Sequence, residues 1–549
     1  MVRSRRGRNL GLLQWGGRFG LADVIVMALE SIASEAAIQT NLERFLLVLS
    51  VSLSVATLPQ IFGWMRQIPY TLLLVIVGAG LAFVDVRLVN LSPELILSIF
   101  LPPLLFEAAW NLKWSNLKRD LVPIGLYAVF GVVISVLGIA FGLQQFTSLS
   151  LEIALLVGAS LSATDPVSVI ALFRELGVGD RPKTLLEGES LFNDGVAVVA
   201  FGLLVAIPLG LGQFELRATV LEFLVVVGVG IGVGSLIGFG LSYLTQRFDL
   251  PLVEQSLTLV AAYGTYLITE ELGGSGVIGV VTVGLVLGNF GSRIGMNPRT
   301  RVIVSEFWEF LAFFVNSIVF LLIGDQINFE SLAKNLDSIA VSVVAMLVTR
   351  AIAIYGLGAL SNALAGSRIS LPEQTALWWG GLRGSVSIAL ALSVPAALSG
   401  REEIIATVFG VVLFTLLIQG LTTKPFLKVL GLLGNQPLKQ EYLEAIARQV
   451  ALKRVLERLE EIHKRPLVEP EFYRYQVALV QGQLTDIEQD LKKLTQEHPE
   501  LRDFAIEQIQ EELLAVEAET YAEFVKAGQL NKELVPSLPS VLGETSSEH

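Results

Sequence analysis

Between residues 45 and 432 the chain is cut into thirteen apolar runs of roughly 17–27 residues, each close to the ~20 residues that a helix needs to cross a ~30 Å hydrocarbon layer. They lie near 45–62, 68–84, 95–110, 121–144, 149–172, 185–211, 218–244, 252–269, 275–290, 307–324, 337–361, 374–397 and 403–432. In lipid every backbone N–H and C=O must find a partner within the protein, so such runs are helices or strands of a closed barrel. Alternation at period 2 is weak and continuous apolar stretches dominate, which selects helices. The expected fold class is an all-α polytopic membrane protein with about thirteen transmembrane helices. An apolar content of 53% and a mean hydropathy of +0.64 agree with it.

An odd number of crossings puts the two ends of this region on opposite sides. With the C-terminus inside, fourteen lysines and arginines fall in cytoplasmic connections and only Arg87, Arg217, Lys334 and Arg401 outside, as the positive-inside rule requires. Arg3, Arg5, Arg6, Arg8 and Arg18 run against that rule, and Asp23, Glu30 and Glu35 interrupt the apolar stretch that a cleavable signal would need. Residues 1–40 are therefore an N-terminal segment without an assigned role, and 41–435 form the transmembrane domain. Beyond Asn435 the composition changes: residues 436–549 carry 13 basic and 22 acidic side chains, most of the chain's net charge of −12. Val480, Leu484, Ile487, Leu491 and Leu494, then Ile506, Ile509, Leu513 and Val516, recur at helical spacing, so this is a soluble, helical, cytoplasmic tail. Its Pro- and Ser-containing end reads as disordered.

There is no cysteine, and His463, His498 and His549 all follow the last run, so neither thiolate nor imidazole chemistry is available within the membrane. What remains there is carboxylates and arginines. Asp165 precedes Arg174 by nine residues, Asp194 follows Lys183 by eleven, Arg383 follows Glu373 by ten, and Arg350 lies about eleven before the end of its run. At 1.5 Å per residue all four sit ~14–17 Å deep, near the bilayer middle, with Glu189 about a turn shallower. A charge at that depth costs ~2.5–3.5 kcal/mol on insertion scales and persists only with a partner or a function. Three acids against two bases leave a net of −1, which one monovalent cation or one proton neutralises. Because metal and proton compete for the same carboxylate oxygens, such a site suits exchange of one for the other. Pro166 disfavours helical geometry at Asp165, Ser160, Ser162 and Thr164 offer further oxygens, and Gly380, Gly381 and Gly384 flank Arg383. Two interrupted helices with midplane charges, in the fifth and twelfth runs, point to a transporter built from inverted six-helix repeats, runs 1–6 and 8–13.

Four segments carry a family resemblance. Phe100-Leu-Pro-Pro-Leu-Leu-Phe-Glu-Ala-Ala109, Ser162-Ala-Thr-Asp-Pro-Val167, Glu187-Gly-Glu-Ser-Leu-Phe-Asn-Asp194 and Trp379-Gly-Gly-Leu-Arg-Gly384 resemble, in order, the signatures of sodium/proton antiporters of the cation:proton antiporter-1 class, the NhaP and NHE exchangers. The resemblance spans about residues 40–435. It implies a homodimer in which a core domain moves against a dimerisation domain, exchanging Na⁺, or Li⁺ or K⁺, for H⁺ without a cofactor. Carried over by position, Asp194 is the ion and proton carrier, and Asp165, Ser190 and the Thr164 backbone help to hold the metal ion. Glu189 is structural, held by Asn193 and paired with Arg350, and Arg383 supports the interrupted twelfth helix. Asparagine at 193, where electrogenic relatives carry aspartate, implies electroneutral one-for-one exchange. The implied setting is a bacterial plasma membrane, with cations, protons and lipid as partners and no nucleic acid.

Two other classes fit less well. An intramembrane aspartyl protease would place a Gly-x-Gly-Asp motif in the membrane, yet Gly177-Val-Gly-Asp180 lies in a polar connection and no Tyr-Asp dipeptide supplies the second acid. A cation channel is disfavoured by a net −1 site closed by two arginines. Glu107 reads as a funnel residue or an interfacial acid, and Glu306 and Glu309 as the cytoplasmic mouth of the tenth run.

Overall fold

The computed structural model describes residues 43–59, 61–62, 69–84, 92–210, 215–246, 250–292, 296, 298–433, 436–463, 470–498 and 501, with a few isolated positions beyond. The N-terminal segment 1–40, Leu513 and Val516 of the second amphipathic set, and the Pro- and Ser-containing end lie outside these residues. Helix is the regular structure of the described residues, and a helix or a broken pair lies over each apolar run. In chain order these are α1 (43–59), α2 (Tyr70–Phe83), α3 (Leu95–Asn111), α4 (Leu121–Phe146), α5a (Leu151–Ser160) with α5b (Val167–Glu175), α6 (Asp180–Val205), α7 (Leu216–Thr245) and α8 (Pro251–Glu271). They continue as α9 (Gly276–Gly291), α10 (Pro298–Asp325), α11 (Leu336–Ala365), α12a (Leu371–Gly380) with α12b (Ser385–Leu392), and α13 (Arg401–Val429). Among the described residues six helices are by themselves long and apolar enough to cross a membrane. The others are shorter or broken, except α8, which at 21 residues is long enough but less apolar. This is an integral membrane protein, and exposed leucine, valine and phenylalanine on α4, α7, α8 and α11 form the apolar outer surface it needs.

Local chemistry sets the helix ends. Ser150 and Ser275 cap α5a and α9 through their hydroxyls. Ser370 and Glu373 close a full capping box at α12a, while Gly366, at φ 61°, ends α11 in the left-handed turn that favours glycine. Four helices contain a π-helical turn: Leu95–Phe100 in α3, Tyr127–Gly131 in α4, Leu287–Gly291 in α9 and Thr415–Gln419 in α13. Such turns insert a residue and open the helix surface.

The helices sort into two bundles. α4, α5, α6, α11, α12 and α13 pack on one another, and α2, α3, α7, α8, α9 and α10 form the second group. Within the second, α2 and α10 meet glycine on glycine: a Cβ on Gly324 would lie 2.9 Å from the Gly78 Cα. Without a hydrophobic driving force between helices, that close backbone approach supplies dispersion contact. The bundles touch mainly where α6 crosses α3, α7 and α9, and where α12b meets the π-turn of α3 and α10. After α13, α14 (Gln436–His463) and α15 (Pro470–Glu497) pack together as a helical pair, with Val480 and Ile487 buried as the helical spacing predicts.

Candidate ion-binding site

The two broken helices of the first bundle meet at their breaks. The Asp165 N–H donates to the Leu382 carbonyl at 2.9 Å, joining the unwound residues after α5a to those between α12a and α12b. Asp165 then caps α5b, its Oδ1 accepting the Val167 N–H at 2.9 Å. A Cβ on Gly384 would fall on the Asp165 carboxylate, so glycine is required for this approach. Arg383 is 1% exposed and turns back across the crossing. Its Nη1 donates to the carbonyls of Ser162 at 2.7 Å and Ala163 at 2.8 Å, the acceptors left where α5a ends. Thr415 of α13 fixes the same residue from behind, its Oγ1 accepting the Arg383 N–H at 3.1 Å.

On α6, Glu189 and Asp194 have different surroundings. Glu189 is 3% exposed and makes a two-pronged pair with Arg350: Nη1 to Oε1 is 2.8 Å and Nη2 to Oε2 is 3.2 Å. Arg350 also donates to the carbonyls of Leu377 at 2.9 Å and Trp378 at 3.1 Å, near the end of α12a. The fork geometry of guanidinium suits this double role. The structure thus brings together the two residues that the resemblance pairs. The expected support of Glu189 by Asn193 is not: Asn193 instead receives the Thr164 N–H on Oδ1 at 3.3 Å and donates from Nδ2 to Thr164 Oγ1 at 2.6 Å. Arg350 already satisfies both Glu189 oxygens, and the unwound residue at 164 offers the amide both a donor and an acceptor. Thr164 Oγ1 also meets Ser190 Oγ at 2.9 Å.

Asp194 is 7% exposed and its Oδ1 has no hydrogen-bond partner. It lies within electrostatic reach of Asp165 and Arg383. Asp165, Thr164, Ser190, Asn193 and Asp194 therefore converge around the break in α5, while Glu189 and Arg350 stand to one side as a closed pair. Among the described residues no three acidic or histidine side chains converge. A cation here would have to complete its shell from hydroxyl and carbonyl oxygens, which suits a hard monovalent ion better than a tightly held transition metal.

One cluster was not anticipated. Asp120, fully buried just before α4, receives Arg181 Nη2 at 2.8 Å and Arg119 Nε at 3.2 Å. Arg181 also donates to the carbonyls of Ser367 and, at 3.2 Å, Arg368. It thereby ties together the starts of α4 and α6 and the α11–α12 connection.

A broken-helix crossing that carries two carboxylates outside any ion pair, Asp165 and Asp194, beside the satisfied Glu189–Arg350 pair is the architecture of a secondary transporter. The transmembrane sodium/hydrogen exchanger family matches residues 48–429, and the chain belongs to that family. It is 63% identical over 519 residues to the Na⁺/H⁺ antiporter ApNhaP of Aphanothece halophytica, covering 94% of this chain and 100% of that protein. To the low-affinity Na⁺/H⁺ antiporter NhaS1 of Synechocystis it is 59% identical, over 93% of this chain and 98% of the other. Its fold is similar to that of the sodium proton antiporter MjNhaP1 of Methanocaldococcus jannaschii, with a TM-score of 0.60 at 21% identity, covering 72% of this chain and 99% of that one.

Proposed function

We propose that this chain is a secondary active antiporter that exchanges one monovalent cation for one proton, with Asp194 as the carrier. The observation that carries this reading is the contrast within α6. Glu189 has both oxygens on Arg350, whereas Asp194 Oδ1, one helical turn further on, is buried without a partner. A carboxylate held this way in a membrane is neutralised by a proton or by a cation, and the two exclude each other. Asp165, Ser190 and Thr164 are the remaining ligands in this reading, and Asn193 orients Thr164. Glu189 with Arg350, and Arg383, hold the broken helices in place.

Transport follows by alternating access. The bundle of α4–α6 and α11–α13 carries the site, and its narrow contact with the other bundle is what a relative movement requires. Thirteen crossings in two inverted repeats, a cytoplasmic tail at 436–549, a homodimer and a bacterial plasma membrane complete the proposal. The charge count and Asn193 favour electroneutral exchange. Na⁺ is the first choice of cation because the relatives are named as Na⁺/H⁺ antiporters. The test is dequenching of a pH dye in proteoliposomes, run with Na⁺, Li⁺ and K⁺ in turn. The proposal expects dequenching by at least one of them, unaffected by membrane potential; no proton movement with any of the three contradicts exchange.

A further inference from the structure

Beside the Glu189–Arg350 pair, inside the first bundle, lies a small, partly open cavity lined by α4, α6 and α11 and by Ser162 at the break in α5. Its polar walls are Ser135, Ser162, Glu189, Asn193 and Arg350, and Gly131 and Ala353 face it as well. The cavity arises from the sequence of α4. The π-helical turn Tyr127–Gly131 opens the helix surface, and the turn ends on a residue without a side chain. A Cβ on Gly131 would meet nothing nearer than the Ala353 Cβ at 4.0 Å. The free space is about 10 Å³, on the order of the ~10–15 Å³ that a single water requires.

The walls decide what this space accepts. Apolar cavities stay dry, but polar ones of this size hold water that bonds to groups the protein leaves over. Arg350 has five N–H groups, of which the hydrogen bonds to Glu189, Leu377 and Trp378 use four, leaving one on Nη1. Asn193 Nδ2 has two hydrogens and gives one to Thr164. Ser135 brings a hydroxyl that both donates and accepts. The ligand is also neutral: Glu189 and Arg350 cancel, so nothing in this cavity attracts a cation as Asp165 and Asp194 do. We infer that the cavity is a binding site for one structural water, bridging Ser135 of α4 to Asn193 of α6 and Arg350 of α11. The water takes the second Asn193 hydrogen, which keeps the amide turned with both its atoms on Thr164. It thereby ties the residue before the carrier to the wall of α4. It also hydrates an ion pair whose desolvation is its main cost.

The test uses the full chain. In a density map of the parent protein that resolves other buried waters, one peak should appear in this cavity within hydrogen-bond distance of at least two of Ser135, Asn193 and Arg350. An empty cavity in such a map overturns the inference. So does an anomalous signal there after soaking with Tl⁺, because that would make it a cation site. Gly131→Ala separates the two cases by sign. It fits without a clash, fills part of the space and is the better helix former, so in a dry cavity it raises the melting temperature. If it displaces a bound water, the melting temperature falls by several degrees and the exchange rate falls several-fold. A melting temperature at or above the parent's counts against the water. Ser135→Ala removes one partner without filling the space, and should weaken the peak while the fold is kept.

Discussion

Replacing Glu189 by glutamine removes one charge from a pair that has almost no contact with solvent. Breaking a buried pair from one side costs ~3–5 kcal/mol, because the other charge is stranded. Here the stranded Arg350 retains the carbonyls of Leu377 and Trp378 at 2.9 and 3.1 Å, so the cost of Glu189→Gln should fall at the lower end, about 3 kcal/mol. Arg350→Gln should cost more, since it strands Glu189 and also releases the two carbonyls at the end of α12a. The double change restores neutrality and should be less destabilised than the sum of the singles by ~1–3 kcal/mol. The assay is thermal and denaturant unfolding of purified protein followed by tryptophan fluorescence, for which the chain has 7 tryptophans. Additive losses would refute the coupling, and so would a Glu189→Gln protein as stable as the parent.

Other consequences follow from the same geometry. Gly384→Ala should abolish exchange, because its Cβ falls on the Asp165 carboxylate, whereas Gly80→Ala, with nothing within 4 Å, should leave flux and stability near the parent's. Asp120→Asn and Arg181→Gln should each lower the melting temperature, with losses that are not additive in the double variant, since each leaves the other's charge less satisfied; additivity in that cycle would show that the three joined elements are held by other contacts. Deleting residues 436–549 should leave a transporter that still exchanges with unchanged cation preference, because every proposed ligand precedes Asn435. A correctly inserted truncated protein without flux between pH 5 and 9 would make the tail part of the mechanism.

Much of this site was legible in the sequence because lipid makes charge expensive. Depth along separate helices brought Glu189, Arg350 and the other membrane charges near one level, the family resemblance paired Glu189 with Arg350, and Pro166 and the glycines around Arg383 marked the two breaks. What escaped follows rules that hydropathy does not carry. Asp120 follows Lys118 and Arg119 in a polar connection, which is how a solvated loop acid looks, yet Arg181 from a distant turn encloses it completely. The resemblance set Asn193 against Glu189; the bond goes to Thr164, whose unwound backbone offers an N–H beside its hydroxyl. The π-turns left no trace, since one inserted residue does not alter an apolar run. The two-bundle division depends on which helix faces pack, and continuous apolar sequence hides this.

The central claim is that Asp194 alternates between proton and cation. Asp194→Asn keeps the size of the side chain but can neither titrate nor offer negative charge, so the direct measurement is cation-driven proton flux in proteoliposomes carrying this variant, with insertion and melting temperature checked in parallel. The expected result is a folded, inserted protein that moves no protons against Na⁺, Li⁺ or K⁺ gradients. Flux at the parent's rate from Asp194→Asn would contradict the account.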